Sequence, residues 1–269
     1  MDEAGLLALR FKSPLQSWGT DAKFPYVRST QTMPSKSGVI GMICAADGLD
    51  KYDPDGGGRE AEQIQKLRKL SYEFWQIAPC PDENLDGKRL EQQKARPQIL
   101  FEYQTIGGGY SRDEASRPWE KCCIPVKASD GKPRDEDGQA LPYWRHYLQD
   151  CDFVAIIGGN RSTLDRIGAV LENPKWGIWF GTKCCLPSTP LVERIFSSKA
   201  ELEEEWKNGT HIIFRHARSR KEENGCHRRI RCHRTTNDFS STSTRWADEP
   251  LSFRDRSYAI RSIGEEFFP

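Results

Sequence analysis

The sequence predicts an α+β fold, an antiparallel sheet with helices on one of its faces. Two patterns predict it. Short apolar or alternating runs of strand length are separated by segments with helical spacing, in the order strand, helix, strand, excursion, strand, helix, strand. Across residues 79–140 apolar residues thin out and Gly, Pro and charge take over. That stretch therefore forms a β-excursion from a core built by residues 1–78 and 141–269. No internal repeat is present.

Residues 5–11 (GLLALRF) make an opening strand, ended by Ser13 and Pro14, and a loop-like stretch at 16–20 follows. Residues 39–46 are apolar nearly all round, as in a buried helix, capped by Ser35 or Ser37 and closed by Gly48. The opening Pro34-Ser35-Lys36-Ser37-Gly38 sets backbone N–H groups and a lysine at a helix N-terminus. It is either an anion cradle or a plain cap beside an exposed lysine. In 60–70, Ile64, Leu67 and Leu70 share a helical face, and 72–77 alternates as a strand does. A strand at 99–106 lies inside the excursion. Regular structure resumes at 143–148, followed by a strand at 153–157 and a helix at 162–172 capped by Ser162 or Thr163. After a turn at 181–187 come an acidic helix at 199–207, the start of a strand at 212–214, a Ser/Thr-rich loop at 239–246 and a last strand at 257–261.

The 269 residues are 36% hydrophobic and 29% charged, with a mean hydropathy of −0.73. This composition suits a water-soluble globular protein, and no apolar run approaches a bilayer span. The start, Met1-Asp2-Glu3, lacks the features of a secretory signal, and nine cysteines fit a reducing compartment. A soluble cytoplasmic protein without membrane contact is the expectation. Lys and Arg number 40 against 39 acidic residues, which excludes a uniformly basic protein but not a basic face.

Catalytic signatures are absent from the sequence. His146, His211, His216, His227 and His233 stand in no nucleophile–base motif, and there is no GxSxG, HExxH, Walker loop or GxGxxG. Gly107-Gly108-Gly109 is too short for a nucleotide cradle. The neighbours Cys122-Cys123 and Cys184-Cys185 are expected to diverge and serve packing. In Cys226-His227 and Cys232-His233 the two pairs would lie about 20 Å apart along a strand, so only a tight loop would let them share a metal. We expect no catalytic residue, no cofactor and no metal.

Segregated charge points elsewhere. The segment 215–234 carries Arg215, Arg218, Arg220, Lys221, Arg228, Arg229, Arg231 and Arg234 against Glu222 and Glu223. That suits a polyanion backbone, or else a solvated arm. Trp18 near Lys12 and Lys23, Tyr110 near Arg112, and Trp119 near Lys121 pair rings with cations. Such pairs stack bases and hold phosphates in single-stranded RNA recognition, unless the rings belong to the core.

Several segments together resemble the CasD family, the RAMP-type subunit of type I-E CRISPR Cascade. They are LLALRFKSPLQSWG at 6–19, Arg28 followed by TMPSKSGVIG at 32–41, WRHYLQDCDF at 144–153, FGTKCCLPSTPL at 180–191, and Asp248-Glu249-Pro250 followed by Arg256-Ser257-Tyr258. Lys183 stands where that family has an arginine; Thr182 and Cys184 replace its Arg and Ser. The resemblance implies a ferredoxin-like (RRM-like) RAMP core with the excursion as a long β-hairpin thumb. It implies a non-catalytic subunit of antiviral defence that caps the 5′ handle of the CRISPR RNA. Its partners would be a CasC-like backbone subunit and a CasA-like large subunit, with target DNA met through the complex. Ser17, Trp18, Arg28, Lys36, Ser37, Arg112 and Lys183 are the expected RNA contacts. The alternative is a metal-independent endoribonuclease like the type I-C relatives, with His146 as the nearest base.

Overall fold

Alternate apolar positions on the first strand decide the layering. A computed structural model describes residues 3–19, 26–50, 58–77, 97–106, 141–208, 230–236 and 244–268. Strand β1 (Ala4–Gln16) sends Leu7, Leu9 and Phe11 to one side and Ala8 to the other, and all four are fully buried. Each large side chain contributes about 1.5–3 kcal/mol by leaving water. On β5 (Ser71–Ile77), Tyr72 and Phe74 join the first layer while Trp75 and Ile77 join the second. On β7 (Leu141–Asn160), Phe153, Ala155 and Ile157 alternate with Val154 and Ile156 in the same way. Period-two alternation with both faces apolar requires cover on both faces.

The first face is covered by α1 (Lys36–Ala46), α2 (Gly58–Arg68) and α3 (Arg161–Glu172), which contribute Ile40, Ile43, Ile64, Leu67, Leu164 and Ile167. Against expectation, the other face is not left to solvent. Leu202 of α4 (Lys199–Asn208) packs there with Trp75, Val154 and Phe196. The acidic composition of α4 hides the one leucine that anchors it.

The remaining strands are β2 (Trp18–Gly19), β3 (Val27–Arg28), β4 (Thr30–Gln31), β6 (Gln98–Ile106), β8 (Val192–Phe196), β9 (Ile230–Thr236), β10 (Thr244–Ser252) and β11 (Ser257–Phe268). The main sheet runs β10-β11-β9-β5-β7-β1-β8, with β3 and β6 also paired to β7 and β2 paired to β4 apart from it. Since β1 and β5 both run antiparallel to β7, they are parallel to each other with β7 between them. By the same logic β7 and β8 flank β1 in parallel. Two split β–α–β units therefore interleave, the first crossing over through α1 and α2, the second through α3.

Several sequence expectations are corrected. The first strand continues past Ser13-Pro14, because Leu15 and Gln16 still pair with Gln149 and Leu148; Asp150, at φ 47, takes up the irregularity opposite. The segments 143–148 and 153–157 belong to one 20-residue strand. Helix α3 begins at Arg161 after an Asn160 cap whose side chain makes no capping bond, so Ser162 and Thr163 lie inside it. The end of the basic segment is not an arm: Ile230–Thr236 is a strand between β5 and β11. Strand β10 takes up the end of the expected Ser/Thr loop. Residues 209–229, including Cys226, His227 and the expected strand at 212–214, lie outside the described residues. Cys232 and His233 occupy successive positions of β9, and no group of His, Cys, Asp and Glu suited to a metal occurs among the described residues. No described helix is long and apolar enough to cross a membrane.

Candidate nucleic-acid interface

Helix α1 opens as the sequence predicts. Ser35 is the N-cap, and its Oγ accepts from the Gly38 N–H at 3.1 Å. The anion that such a helix start attracts is supplied by the chain itself. Asp248 on β10 accepts from the Lys36 backbone N–H at 2.8 Å, and from Arg261 Nε and Nη2 at 2.6 and 2.8 Å. The Lys36 ammonium is buried, donating to Glu249 at 3.2 Å and to the Arg68 carbonyl at 3.0 Å. Burial makes it a weaker base than an ordinary lysine, against the pull of Glu249. Burial also opposes the ionisation of Glu249, yet Lys36 and Arg68 hold its carboxyl below the usual carboxylate range. The cradle is thus filled and the lysine engaged. Of the paired alternatives at this helix, neither an open anion site nor an exposed lysine is what forms.

Trp18 is equally occupied. Its ring is 2% exposed and lies 5.3 Å from Phe11 and 5.9 Å from Phe180, centroid to centroid, with Nε1 donating to Gln16 Oε1. It also rests on α1, where a Cβ on Gly38 would come within 3.0 Å of the indole. A ring so enclosed cannot stack on an incoming base without unpacking the core. Ser17 is buried too, its N–H donating to the Phe180 carbonyl at 2.9 Å. The facing turn passes so close that only glycine fits at Gly181: φ is +93° there, and a Cβ would run into the Ser17 carbonyl. The motif segments of the opening strand, the α1 start and the Gly181 turn meet here. Sequence spacing did not show that several of their functional-looking side chains hold the segments to one another.

What remains open to solvent gathers on the first half of β7 and its neighbours. Strand β3 runs parallel to β7, pairing Arg28 with Arg145, and β6 runs antiparallel on the other side, pairing Glu102 with Arg145. Exposed Arg28 donates from Nε to the Tyr143 hydroxyl at 2.6 Å, and the Arg145 guanidinium lies 5.2 Å from the Tyr143 ring centre. A hydrogen bond to Tyr147 further favours the charged form of Arg145, and burial pushes the Tyr147 phenol up to about 12. The Tyr147 oxygen also accepts from Cys184 Sγ at 3.7 Å, which ties this face to the turn after Gly181. On that turn Lys183 is exposed, its ammonium 5.8 Å from the Trp179 ring centre. Arg28 and Arg145 therefore border one surface at Tyr143, and the turn that carries exposed Lys183 is joined to it through buried Tyr147. Guanidinium forks grip phosphate in pairs of hydrogen bonds, and phenols add donors and ring faces.

Alternation puts different chemistry on the back of the same strands. Phe101, 68% exposed, meets His146 edge-on at 4.6 Å, and Tyr103, 59% exposed, tilts against Trp144 at 5.2 Å. His146 is therefore on the face opposite Arg145 and Tyr147. Of the expected contacts, Arg28 and Lys183 are exposed. Ser37 is half-buried, its Oγ 3.4 Å from that of Ser35. Trp18, Lys36 and Ser17 are built into the scaffold, and Arg112 lies outside the described residues. Arg145, Tyr143 and Tyr147 escaped notice; their alternation within YWRHY was the available signal.

The family Cas_Cas5d, described as CRISPR-associated protein (Cas_Cas5), matches the chain over residues 6–261. The chain belongs to the Cas5 family. Among curated relatives, the CRISPR system Cascade subunit CasD of Escherichia coli (strain K12) is 23% identical over 188 residues, covering 69% of this chain and 68% of the relative. A Cas5-like fold also recurs in solved structures. One described as a CRISPR RNA-guided surveillance complex superposes with a TM-score of 0.63 at 23% identity, covering 98% of this chain and 89% of the other. A second, described as the crystal structure of a Cas protein, gives 0.54 at 19% identity, covering 98% and 95%. The motifs of the opening strand, the α1 start, β7 and the Gly181 turn all fall inside the Cas5 match.

Proposed function

We propose that this chain is a non-catalytic RNA-binding subunit of a type I CRISPR surveillance complex, of the type I-E Cascade kind, acting in antiviral defence. In this reading it caps the 5′ handle of the CRISPR RNA and meets a CasC-like backbone subunit and a CasA-like large subunit, with target DNA reached through the assembly. The observation that carries it is the surface where Arg28 and Arg145 meet Tyr143, with exposed Lys183 on the adjoining turn, on a chain of the Cas5 family. Phosphates of the handle pair with the three cations, and a splayed base lies on the Tyr143 ring. The interleaved β–α–β units are read as a ferredoxin-like RAMP core of residues 1–78 and 141–269. The β6–β7 ladder is the base of a thumb built by residues 79–140, and Arg112, within that thumb, reaches the same RNA. Ser37 lies at the edge of the contact, while Ser17, Trp18 and Lys36 serve it by holding α1 and the Gly181 turn in place.

The test is reconstitution with the neighbouring subunits and a guide RNA. The expected result is an RNA-loaded particle that loses its handle protection when this chain is omitted, with the precursor RNA left uncut by the chain alone. Metal-independent cleavage of the repeat by the purified chain, abolished by His146→Ala, would replace this reading with the endoribonuclease one.

A further inference from the structure

Adjacent cysteines usually point apart, and the sequence suggested as much for Cys184 and Cys185. The fold of their turn brings the two sulfurs back together. Both reach the Thr182 hydroxyl, at 3.3 Å from Cys184 and 3.1 Å from Cys185, so one oxygen bridges the two sulfurs. Cys184 is exposed, whereas Cys185 is fully buried, as are Cys44 and Cys151 nearly so. We propose that Cys184 and Cys185 form a vicinal dithiol that a hydroperoxide oxidises to a reversible disulfide, reshaping the turn that carries Lys183.

The two thiols differ in the way such chemistry needs. Hydroxyls of Thr182 and Tyr147 stand ready to donate to the Cys184 sulfur once it ionises, and its thiol is more acidic than an ordinary cysteine. Burial pushes Cys185 up to about 11, so it stays protonated until a partner is beside it. The Cys184 thiolate attacks one oxygen of the hydroperoxide. A sulfur–oxygen bond forms, the oxygen–oxygen bond breaks, and the departing oxygen takes a proton from water. The Cys185 sulfur then attacks the sulfenic sulfur: the disulfide forms, the sulfur–oxygen bond breaks, and hydroxide leaves as water with the Cys185 proton. Two thiols lose two electrons, and the hydroperoxide gains them.

Adjacent Cα atoms are only about 3.8 Å apart, below the roughly 4.4–6.8 Å of ordinary disulfides. The bond would be strained and easily reduced, which is the character of a switch and not of a staple. The link between the cysteines lies within a ring closed by Phe180 N–H to Cys185 carbonyl at 2.8 Å and Cys185 N–H to Thr182 carbonyl at 2.9 Å. Twisting it to join the sulfurs breaks that ring and moves Lys183 and the Tyr147 contact. The regulatory half of this inference rests on the guide-binding reading; the thiol chemistry does not.

The experiment treats the whole chain with hydrogen peroxide, follows it by intact mass and peptide mapping, and in parallel titrates labelled single-stranded handle RNA. The expected result is loss of two hydrogens on the peptide holding Cys184 and Cys185, reversed by dithiothreitol, with RNA affinity at least tenfold weaker while oxidised. Phenylarsine oxide, a dithiol reagent, should bind the reduced pair and protect it. Cys184→Ser should abolish both the mass change and any response of RNA affinity to peroxide. Sulfinic or sulfonic acid on Cys184 alone, or no reaction there, overturns the dithiol. Disulfide formation with unchanged affinity overturns the switch. A reduced chain that binds no RNA counts against the guide-binding reading and leaves the mass result standing.

Discussion

At the start of α1 three cations, Lys36, Arg68 and Arg261, are gathered around Asp248 and Glu249, and the side chains of Lys36 and Arg261 are 6% and 3% exposed. Around the first half of β7 three other cations, Arg28, Arg145 and Lys183, meet tyrosine and tryptophan, with the Glu102 carboxylate opposite Arg145. The first group is consumed in holding α1 to the β10–β11 hairpin. In the second, Arg28 and Lys183 keep their charge available, because a phenol or an indole orients a cation without neutralising it, while Glu102 offsets part of the charge of Arg145. Partner chemistry, not the number of basic residues, separates scaffold from surface.

The sharpest way to break this contrast is to open the buried cluster. Asp248→Ala leaves Arg261 buried without its carboxylate and exposes the first turn of α1, and should cost about 3–5 kcal/mol in denaturant unfolding. A loss below about 1 kcal/mol would mean the cluster is wetter than described. Trp18→Ala should cost a comparable 3–5 kcal/mol, as emptied aromatic sites do, and a normally stable variant with impaired RNA binding would return Trp18 to the interface. Lys36→Met keeps the packing but strips Glu249 and the Arg68 carbonyl of a donor, for about 1–3 kcal/mol. Its RNA affinity and salt dependence should match those of the unaltered chain.

On the open face the effects should reverse. Arg28→Ala, Arg145→Ala and Lys183→Ala should each shift stability by no more than about 0.5 kcal/mol. Each should lower the slope of log affinity against log salt by about 0.7, the value for a single-strand phosphate contact. Three unchanged slopes would remove this surface from the RNA path. The smallest effect is on pH. Glu249 titrates below its unfolded value in the folded chain, so its contribution is present above about pH 4.3 and fades as pH falls through the folded value. The stability gap between the unaltered chain and Glu249→Gln should hold from pH 7 to about 4.3 and narrow as pH falls further through the folded value. A gap no smaller in strong acid than at pH 7 would rule out ionised Glu249 as the partner of Lys36.

Much of the fold was legible in local pattern. The alternation of 72–77, the helical spacing of Ile64 and Leu67, and the Ser35 cap each express themselves within a few residues, and the structure realises all of them. The length of β7 was not legible, since Gln149-Asp150-Cys151-Asp152 has the composition of a turn. It stays extended because β1 pairs with β7 both before and after these residues. The site was half legible. Arg28 and Lys183, expected from the motifs, are exposed; Arg145, Tyr143 and Tyr147 beside them were not singled out, and Trp18 and Lys36, expected as contacts, are buried.

The sequence by itself determined the period and polarity of each element, and through its motifs the family, because backbone preference and side-chain alternation act between near neighbours. Tertiary structure alone decided which charges are spent and which are left. Lys36 meets Glu249 across 213 positions of chain, while Arg28 meets Tyr143 across 115. Nothing within a few residues of either cation says whether a carboxylate or a phenol will fold against it, and that partner fixes whether its charge reaches solvent.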